Sequence, residues 1–119
     1  MLRIELPLPA RQLSPNARVH WVIKARYTRE ARAMVVAEVL AQLARGTPLT
    51  KATVTVTFMV PDKRRRDHGN LIAAAKAYID GLVDAGVIAD DNTRVIREVY
   101  PPVEYRKGQP GTLIEVIEA

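Results

Sequence analysis

The sequence predicts a single α+β domain in which a small mixed sheet is covered by two helices, in the order β-α-β-α-β-β. Three observations lead to this prediction. The chain has 119 residues, of which 48% are hydrophobic and 26% charged, and this suits one globular domain over residues 1–119. Two segments carry apolar residues at helical spacing. Four short segments have the character of strands.

The strands are predicted from alternation and from β-branched residues. Residues 2–8 alternate apolar and charged side chains, and the prolines at positions 7 and 9 end the pattern. Residues 52–60 alternate threonine with valine or phenylalanine and give the clearest strand signal. Residues 93–100 and 112–118 are two further predicted strands, joined by a segment rich in proline and glycine.

The first helix is predicted over about residues 29–45, with Thr28 as its N-cap and Gly46 and Pro48 after its end. Its apolar positions are Ala31, Met34, Val35, Val39, Leu40 and Leu43. Residues 10–27 lack a clean period, so we expect an irregular basic loop there. This loop contains Arg11, Arg18, His20, Trp21, Lys24 and Arg26.

The second helix is predicted over about residues 71–85, with Asn70 as its N-cap and Gly86 directly after it. One face of this helix is apolar and would pack on the sheet. The two predicted helices and four predicted strands together give the fold class stated above.

Composition excludes several kinds of site. The chain contains no cysteine, which removes disulfides, thiolate zinc sites, iron–sulfur clusters and cysteine nucleophiles. Eighteen Lys and Arg against thirteen Asp and Glu give a net charge of +5, which favours polyanionic partners. No apolar run suits a signal peptide or a membrane span, so we expect a cytoplasmic protein without a membrane partner.

A basic run stands at the connection between the second strand and the second helix. Lys63, Arg64, Arg65 and Arg66 come directly before Asp67. Like charges repel, so such a run is stable where a polyanion neutralises it or where solvent screens it. From these residues alone, a phosphate-binding loop and a solvated charged loop both stay open.

Three carboxylates flank the second predicted helix, with Asp67 before it and Asp90 and Asp91 after it. Oxygen ligands of this kind suit Mg²⁺ or Mn²⁺. Alternatively, Asp67 favours the helix dipole and the aspartate pair makes a turn. A helix of about fifteen residues is roughly 22 Å long, and residues 86–91 can cover about 20 Å, so Asp91 can return towards Asp67.

Lys76 lies on the second predicted helix, in a polar stripe with Asp80 and Asp84 at intervals of four residues. It either makes an ordinary surface ion pair or stabilises a metal-bound phosphate as a point cation. His68 is likewise either a metal ligand or base beside Asp67, or a solvated loop side chain.

A series of motifs runs along nearly the whole chain: LRIELPLP, LSPNARVHW, YTREARAM, PDKRRRD, NL and KAYIDGLVDAGVIADD, followed by two strands. The block KAYIDGLVDAGVIADD is the most specific of them. The series resembles the RusA family of Holliday-junction resolvases, small endonucleases of phage and prophage origin. The resemblance implies a Mg²⁺-dependent homodimer that cuts branched DNA, with an aspartate cluster and one lysine in each active site.

The resemblance assigns catalytic roles to Asp67 and Asp91. Lys76 matches the family's catalytic lysine when the helix is aligned from its C-terminal part. Counting from Asn70 puts Ala73 there instead, because this chain has three extra residues before the lysine.

Gly69 departs from the family pattern D-x-D-N, in which it stands at the second aspartate. The departure removes one carboxylate that would hold a divalent ion. Asp90, His68 or water then fills the gap, or the protein is a weakened or inactive relative.

The predicted function is therefore a Mg²⁺-dependent endodeoxyribonuclease, with Mn²⁺ as a possible substitute, that resolves Holliday junctions or other branched DNA. The alternatives are a RusA-like protein that binds branched DNA without cutting it, and an unrelated basic domain. The predicted catalytic residues are Asp67, Asp91 and Lys76, the predicted metal ligands are Asp67, Asp91 and Asp90, and the predicted DNA contacts are Lys63, Arg64, Arg65 and Arg66.

Overall fold

A mixed sheet forms the centre of the computed structural model, which describes residues 1–42 and 46–119. Its strands are β1 (Leu2–Leu6), β2 (Ala52–Val60), β3 (Ile96–Val99), β4 (Glu104–Tyr105) and β5 (Gly111–Glu118). The strand order is β1-β5-β2-β3, and β4 pairs with the far end of β2. β5 runs antiparallel to β1 and β2, whereas β3 and β4 run parallel to β2.

Three helices accompany the sheet: α1 (Trp21–Ala41), α2 (His68–Ala74) and α3 (Lys76–Asp84). The hydrophobic core lies between the sheet and the helices. Its fully buried side chains include Ile4, Val54, Val56, Phe58, Ile114 and Val116 from the strands and Val35, Tyr78, Ile79 and Leu82 from the helices. A Cβ at Gly81 would lie 2.7 Å from Val35 Cβ, so glycine is what allows α1 and α3 to approach closely. The predicted α+β fold is confirmed.

The predicted strand over 52–60 coincides with β2, while the other strands differ at their ends. β1 ends at Leu6, because the carbonyl of Pro7 leaves the sheet and accepts hydrogen bonds from Tyr78 Oη and Thr112 Oγ1, both at 2.9 Å. Burial raises the pKa of Tyr78 to about 12. β3 is shorter than the predicted 93–100, and β4 was not predicted.

The prediction of one irregular loop over residues 10–27 is wrong. Arg11–Leu13 form a 3₁₀ turn, and α1 already begins at Trp21. The N-cap is His20, whose Nδ1 accepts from the Val22 N–H at 3.2 Å, and not Thr28, which lies inside the helix. The first turn of α1 carries exposed apolar residues, so the sequence has no amphipathic pattern there. The predicted C-terminal end at 43–45, with Leu43, lies outside the described residues.

The helix predicted over 71–85 is two helices. It begins at His68, with Asp67 rather than Asn70 as N-cap, and it is interrupted at Ala75. The interruption lies in the sequence AAAKA, which has high helix propensity, so propensity does not explain it. Ala75 is fully buried at this interruption.

Residues 86–91, which we call the return segment, lead the chain back after α3, as the sequence predicted. Gly86 has a φ of 74°, a conformation that glycine adopts readily, and the chain reverses there. Ile88 is buried and pairs with Leu49, which fixes the path back along the helix. Over residues 1–42 and 46–119, we find no helix with the length and apolar character that crossing a bilayer requires.

Candidate active site

Lys76, Asp80 and Asp91 meet at the start of α3, and we call them the Lys76 cluster. The Lys76 ammonium donates to Asp80 Oδ1 at 2.6 Å and also to Asp91 Oδ2. Asp80 lies one helical turn after Lys76, whereas Asp91 is delivered by the return segment. The reversal at Gly86 thus brings together residues that are 15 positions apart in sequence.

The charges of the Lys76 cluster stabilise one another. Burial alone would lower the pKa of Lys76, but its hydrogen bonds to Asp80 and Asp91 outweigh this effect and raise the pKa. The hydrogen bond from Lys76 chiefly, and the neighbouring Asp80 next, lower the pKa of Asp91. At neutral pH the cluster therefore holds a protonated lysine against an ionised Asp91.

Asp90 supports the turn that carries Asp91. Its Oδ1 accepts from the Asp91 N–H at 2.7 Å, and its Oδ2 accepts from the Asn92 side-chain amide at 2.9 Å. Both oxygens of Asp90 are therefore engaged in the turn, as the alternative interpretation of this aspartate pair expected.

Asp84 does not belong to the Lys76 cluster, although the sequence places it in the same stripe. Its carboxylate forms a bidentate pair with Arg32 of α1, at 2.6 Å and 2.7 Å. The hydrogen bonds from Arg32 lower the pKa of Asp84. This pair links α1 to α3, so Asp84 has a structural partner of its own.

Asp67 lies at the start of α2, and the seven-residue helix α2 separates it in sequence from the Lys76 cluster. Its Oδ1 accepts from the Asn70 N–H at 3.2 Å and so caps α2. It also lines a cleft of about 230 Å³. The other lining residues are Pro9, Ala10, Arg11, Ser14, Arg66, Asn70, Leu71 and Ala74. Within the described parts of the chain, no hydrogen bond or ion pair joins Asp67 to the Lys76 cluster.

The carboxylates suit a hard divalent cation by their donor chemistry, since Mg²⁺ and Mn²⁺ prefer oxygen. The described residues contain no group of three or more Asp, Glu or His side chains placed to share one ion. Gly69 borders Asp67, because a Cβ there would lie 3.2 Å from Asp67 Oδ1. Gly69 is not among the glycines with positive φ, so its backbone conformation accepts other residues.

The four cations of the basic run have different environments. Arg66 donates to the carbonyls of Asp62 and Arg64, at 2.9 Å and 3.0 Å, and pairs with the Asp62 carboxylate at 3.0 Å. Only 16% of its side chain is exposed, so it braces the loop. Lys63 lies over the Tyr105 ring at 5.6 Å, and Arg64 and Arg65 are exposed.

His68 faces the interior. Its ring meets Phe58 edge-on at a centroid distance of 5.8 Å, and Nε2 is buried with no hydrogen-bond partner in the part of the chain that is described. The interpretation of His68 as a solvated loop residue is therefore wrong. Sequence analysis also missed Asp80 as a member of the site, although its spacing of four residues from Lys76 was the available signal.

The sequence of this chain is similar to those of proteins from two bacteria. No family model matches the chain. An uncharacterized protein of Xylella fastidiosa is 36% identical over 122 residues, covering 98% of this chain and 76% of that protein. The crossover junction endodeoxyribonuclease RusA of Aquifex aeolicus is 34% identical over 64 residues, covering 54% of this chain and 47% of that protein. The second match confirms the resemblance to the RusA family that the motifs indicated.

Proposed function

We propose that residues 1–119 form one RusA-like endonuclease domain that acts as a homodimer and hydrolyses phosphodiester bonds in Holliday junctions or other branched DNA. The Lys76 cluster carries this proposal, because it holds an ammonium and two carboxylates at one point on the surface. Partial similarity to a crossover junction endodeoxyribonuclease supports the choice of DNA as substrate.

Mg²⁺ is the proposed cofactor, with Mn²⁺ as a substitute. Asp67, Asp91 and Asp90 are the proposed ligands on donor chemistry alone, since carboxylate oxygens are donors that these ions prefer. Among the described residues, the three carboxylates do not converge on one ion in this conformation. When bound, the ion supplies positive charge that offsets the charge developing on the phosphate and favours deprotonation of the attacking water.

Lys76 has the proposed role of stabilising the phosphate in the transition state. Its raised pKa keeps the ammonium charged at neutral pH, so it can donate to a phosphate oxygen. Asp80 holds the ammonium in place at 2.6 Å. In the basic run, Lys63, Arg64 and Arg65 contact flanking phosphates, and Arg66 adds its charge at the cleft beside Asp67.

Cleavage of a synthetic four-way junction tests the proposal. Native protein with Mg²⁺ should cut the junction and leave a linear duplex of the same sequence intact. Lys76→Ala and Asp91→Asn should each reduce the cleavage rate by about 100-fold or more, the effect of removing one transition-state stabiliser.

Asp84→Asn is the matched control, because Asp84 lies on the same helix but pairs with Arg32. It should cut at nearly the native rate. Equal cleavage by native protein and Asp91→Asn, or equal cutting of junction and duplex, would contradict the proposal.

The second candidate function is binding of branched DNA without cleavage. Gly69 favours it, since this position has no carboxylate to add beside Asp67. Tight junction binding with no cleavage in either Mg²⁺ or Mn²⁺ would support this candidate over the endonuclease.

A further inference from the structure

The start of α1 exposes the chain's single tryptophan to solvent. Trp21 is 73% exposed, and Val22 and Ile23 beside it are 49% and 45% exposed. Aromatic side chains of this size normally gain stability by burial, so a solvent-facing tryptophan next to two exposed aliphatic residues indicates a binding surface. We call Trp21, Val22 and Ile23 the α1 tip.

The sequence on both sides of the α1 tip carries more positive than negative charge. Residues 11–29 contain five exposed cations and no acidic residue: Arg11, Arg18, Lys24, Arg26 and Arg29. Arg26 pairs with Glu30, one helical turn further on. An exposed aromatic ring in a cation-rich segment fits a ligand that combines a π face with negative charge, and nucleic acid has both. A second copy of the same tip is a poor fit, because its cations would repel these.

The tryptophan is held in position rather than left on a free arm. The His20 ring lies 5.7 Å from the indole at an interplanar angle of 31°, and His20 Nδ1 accepts from the Val22 N–H. Ser14 lines the Asp67 cleft, and the chain from Ser14 to Trp21 can span at most about 25 Å. Trp21 and the residue Ser14 of the cleft are therefore no farther apart than the length of about seven base pairs of DNA at 3.4 Å each.

We propose that Trp21 is a stacking platform for an unstacked base of branched DNA, with the cations of residues 11–29 binding the adjacent phosphates. The inference rests on the proposed function only in taking DNA as the ligand. A branch point supplies bases without a stacking partner on one side, whereas a continuous duplex does not. The α1 tip would therefore favour junctions over duplex.

Intrinsic fluorescence tests this directly, because all tryptophan emission comes from Trp21. A four-way junction should quench the emission, and the midpoint of quenching should equal the binding midpoint measured by fluorescence anisotropy of the dye-labelled junction. A duplex of equal length should quench the emission much less.

Trp21→Ala should weaken junction binding by about 5- to 150-fold, the range for one base stacked on an aromatic ring, and Trp21→Phe should restore part of the loss. Leu40→Ala removes another exposed apolar residue of α1 and should leave binding unchanged.

The possible failures are distinguishable. Junction binding with unchanged emission and full affinity of Trp21→Ala would overturn the stacking role and leave the proposed function intact. Conversion of a dimer to a monomer by Trp21→Ala in sedimentation would make the α1 tip a subunit interface, which also overturns it. Quenching and affinity loss without any cleavage would support stacking and count against the endonuclease.

Discussion

The starts of α2 and α3 use the same kind of side chain, an aspartate, in different ways. At the start of α2, the Asp67 carboxylate accepts from the backbone N–H of Asn70. At the start of α3, the Asp91 carboxylate arrives from the return segment and accepts from the Lys76 ammonium. The first aspartate is held by the helix it precedes, and the second by a charge. An aspartate in a family motif can therefore have a structural partner before it meets any metal or substrate.

Asp67 and Asp91 also differ in how accessible they are to a ligand. Asp67 borders a cleft together with Arg11 and Arg66, whereas Asp91 is enclosed in an ion cluster with Asp80. The cleft beside Asp67 is therefore the more accessible to a ligand. The Lys76 cluster is the more strongly organised by charge. The cleft and the cluster together form the proposed active site.

Replacing Asp67 by Asn or by Ala should separate its role as helix cap from its proposed role as metal ligand. Asparagine caps helices as well as aspartate does, so Asp67→Asn keeps the cap and removes the charge, while Asp67→Ala loses both. We expect each variant to lower junction cleavage by about 100-fold, because each removes a proposed ligand. Only Asp67→Ala should lose about 1 kcal/mol in the free energy of unfolding.

Cleavage rates and urea unfolding curves check this pair. Native cleavage by Asp67→Asn would leave Asp67 as a helix cap alone and would remove it from the active site. The same stability for both variants would contradict the capping role.

A carboxylate at position 69 should strengthen the binding of Mg²⁺ beside Asp67. Gly69→Asp adds a hard ligand whose Cβ lies 3.2 Å from Asp67 Oδ1, so a small local shift accommodates it. We expect Mg²⁺ to bind about tenfold more tightly, a gain of about 1.4 kcal/mol, as measured by calorimetry. Gly46→Asp is the control, since nothing lies within 4 Å of the Cβ it adds. Equal affinity in native protein and Gly69→Asp would mean that another group already supplies the missing ligand.

The sequence was sufficient for the parts of the fold that periodicity determines. β2 was predicted with its bounds, because threonines alternate with apolar residues along it; both faces of the strand are buried from Val56 to Val60. Helix length and the glycine at position 86 predicted that Asp91 returns towards Asp67; the chain does reverse at Gly86, but the contact that Asp91 makes is with Lys76. Both predictions rest on local geometry.

The start of α1, the interruption at Ala75 and the partner of Asp84 could not be predicted in the same way. The exposed apolar residues of the α1 tip follow no hydrophobic period, and the interruption lies in a segment of strong helix formers. Asp84 pairs with Arg32, which is 52 positions away in sequence and lies on a helix that only the tertiary packing brings close. The pair of Asp84 and Arg32 depends on a contact between distant parts of the chain, whereas the start of α1 has a local cap, His20, that gives no hydrophobic period.

The basic run should separate into DNA-contacting and loop-bracing residues. Replacing Arg64 and Arg65 together by Ala should reduce the slope of log K for DNA binding against log salt by about 2, since each phosphate contact contributes about 0.9. Arg66→Ala should change the slope less and lower thermal stability, because its guanidinium is engaged within the loop. Anisotropy titrations at several salt concentrations measure the slopes. An unchanged slope in the double variant would make the run a solvated loop.

The Lys76 cluster should make a small contribution to the pH dependence of the protein's stability. Lys76 lowers the pKa of Asp91, so the ion pair stabilises the fold above the ordinary carboxyl pKa, and this stability is lost as the pH falls below about 4. Lys76→Met should remove that contribution, so its urea midpoint should fall less between pH 6 and pH 3 than that of the native chain. Lys51→Met, which replaces another exposed lysine, should keep the native pH dependence. If Lys76→Met followed the native curve throughout, the contact with Asp91 would contribute nothing to folding, and the cluster would be organised by the turn at Asp90 rather than by charge.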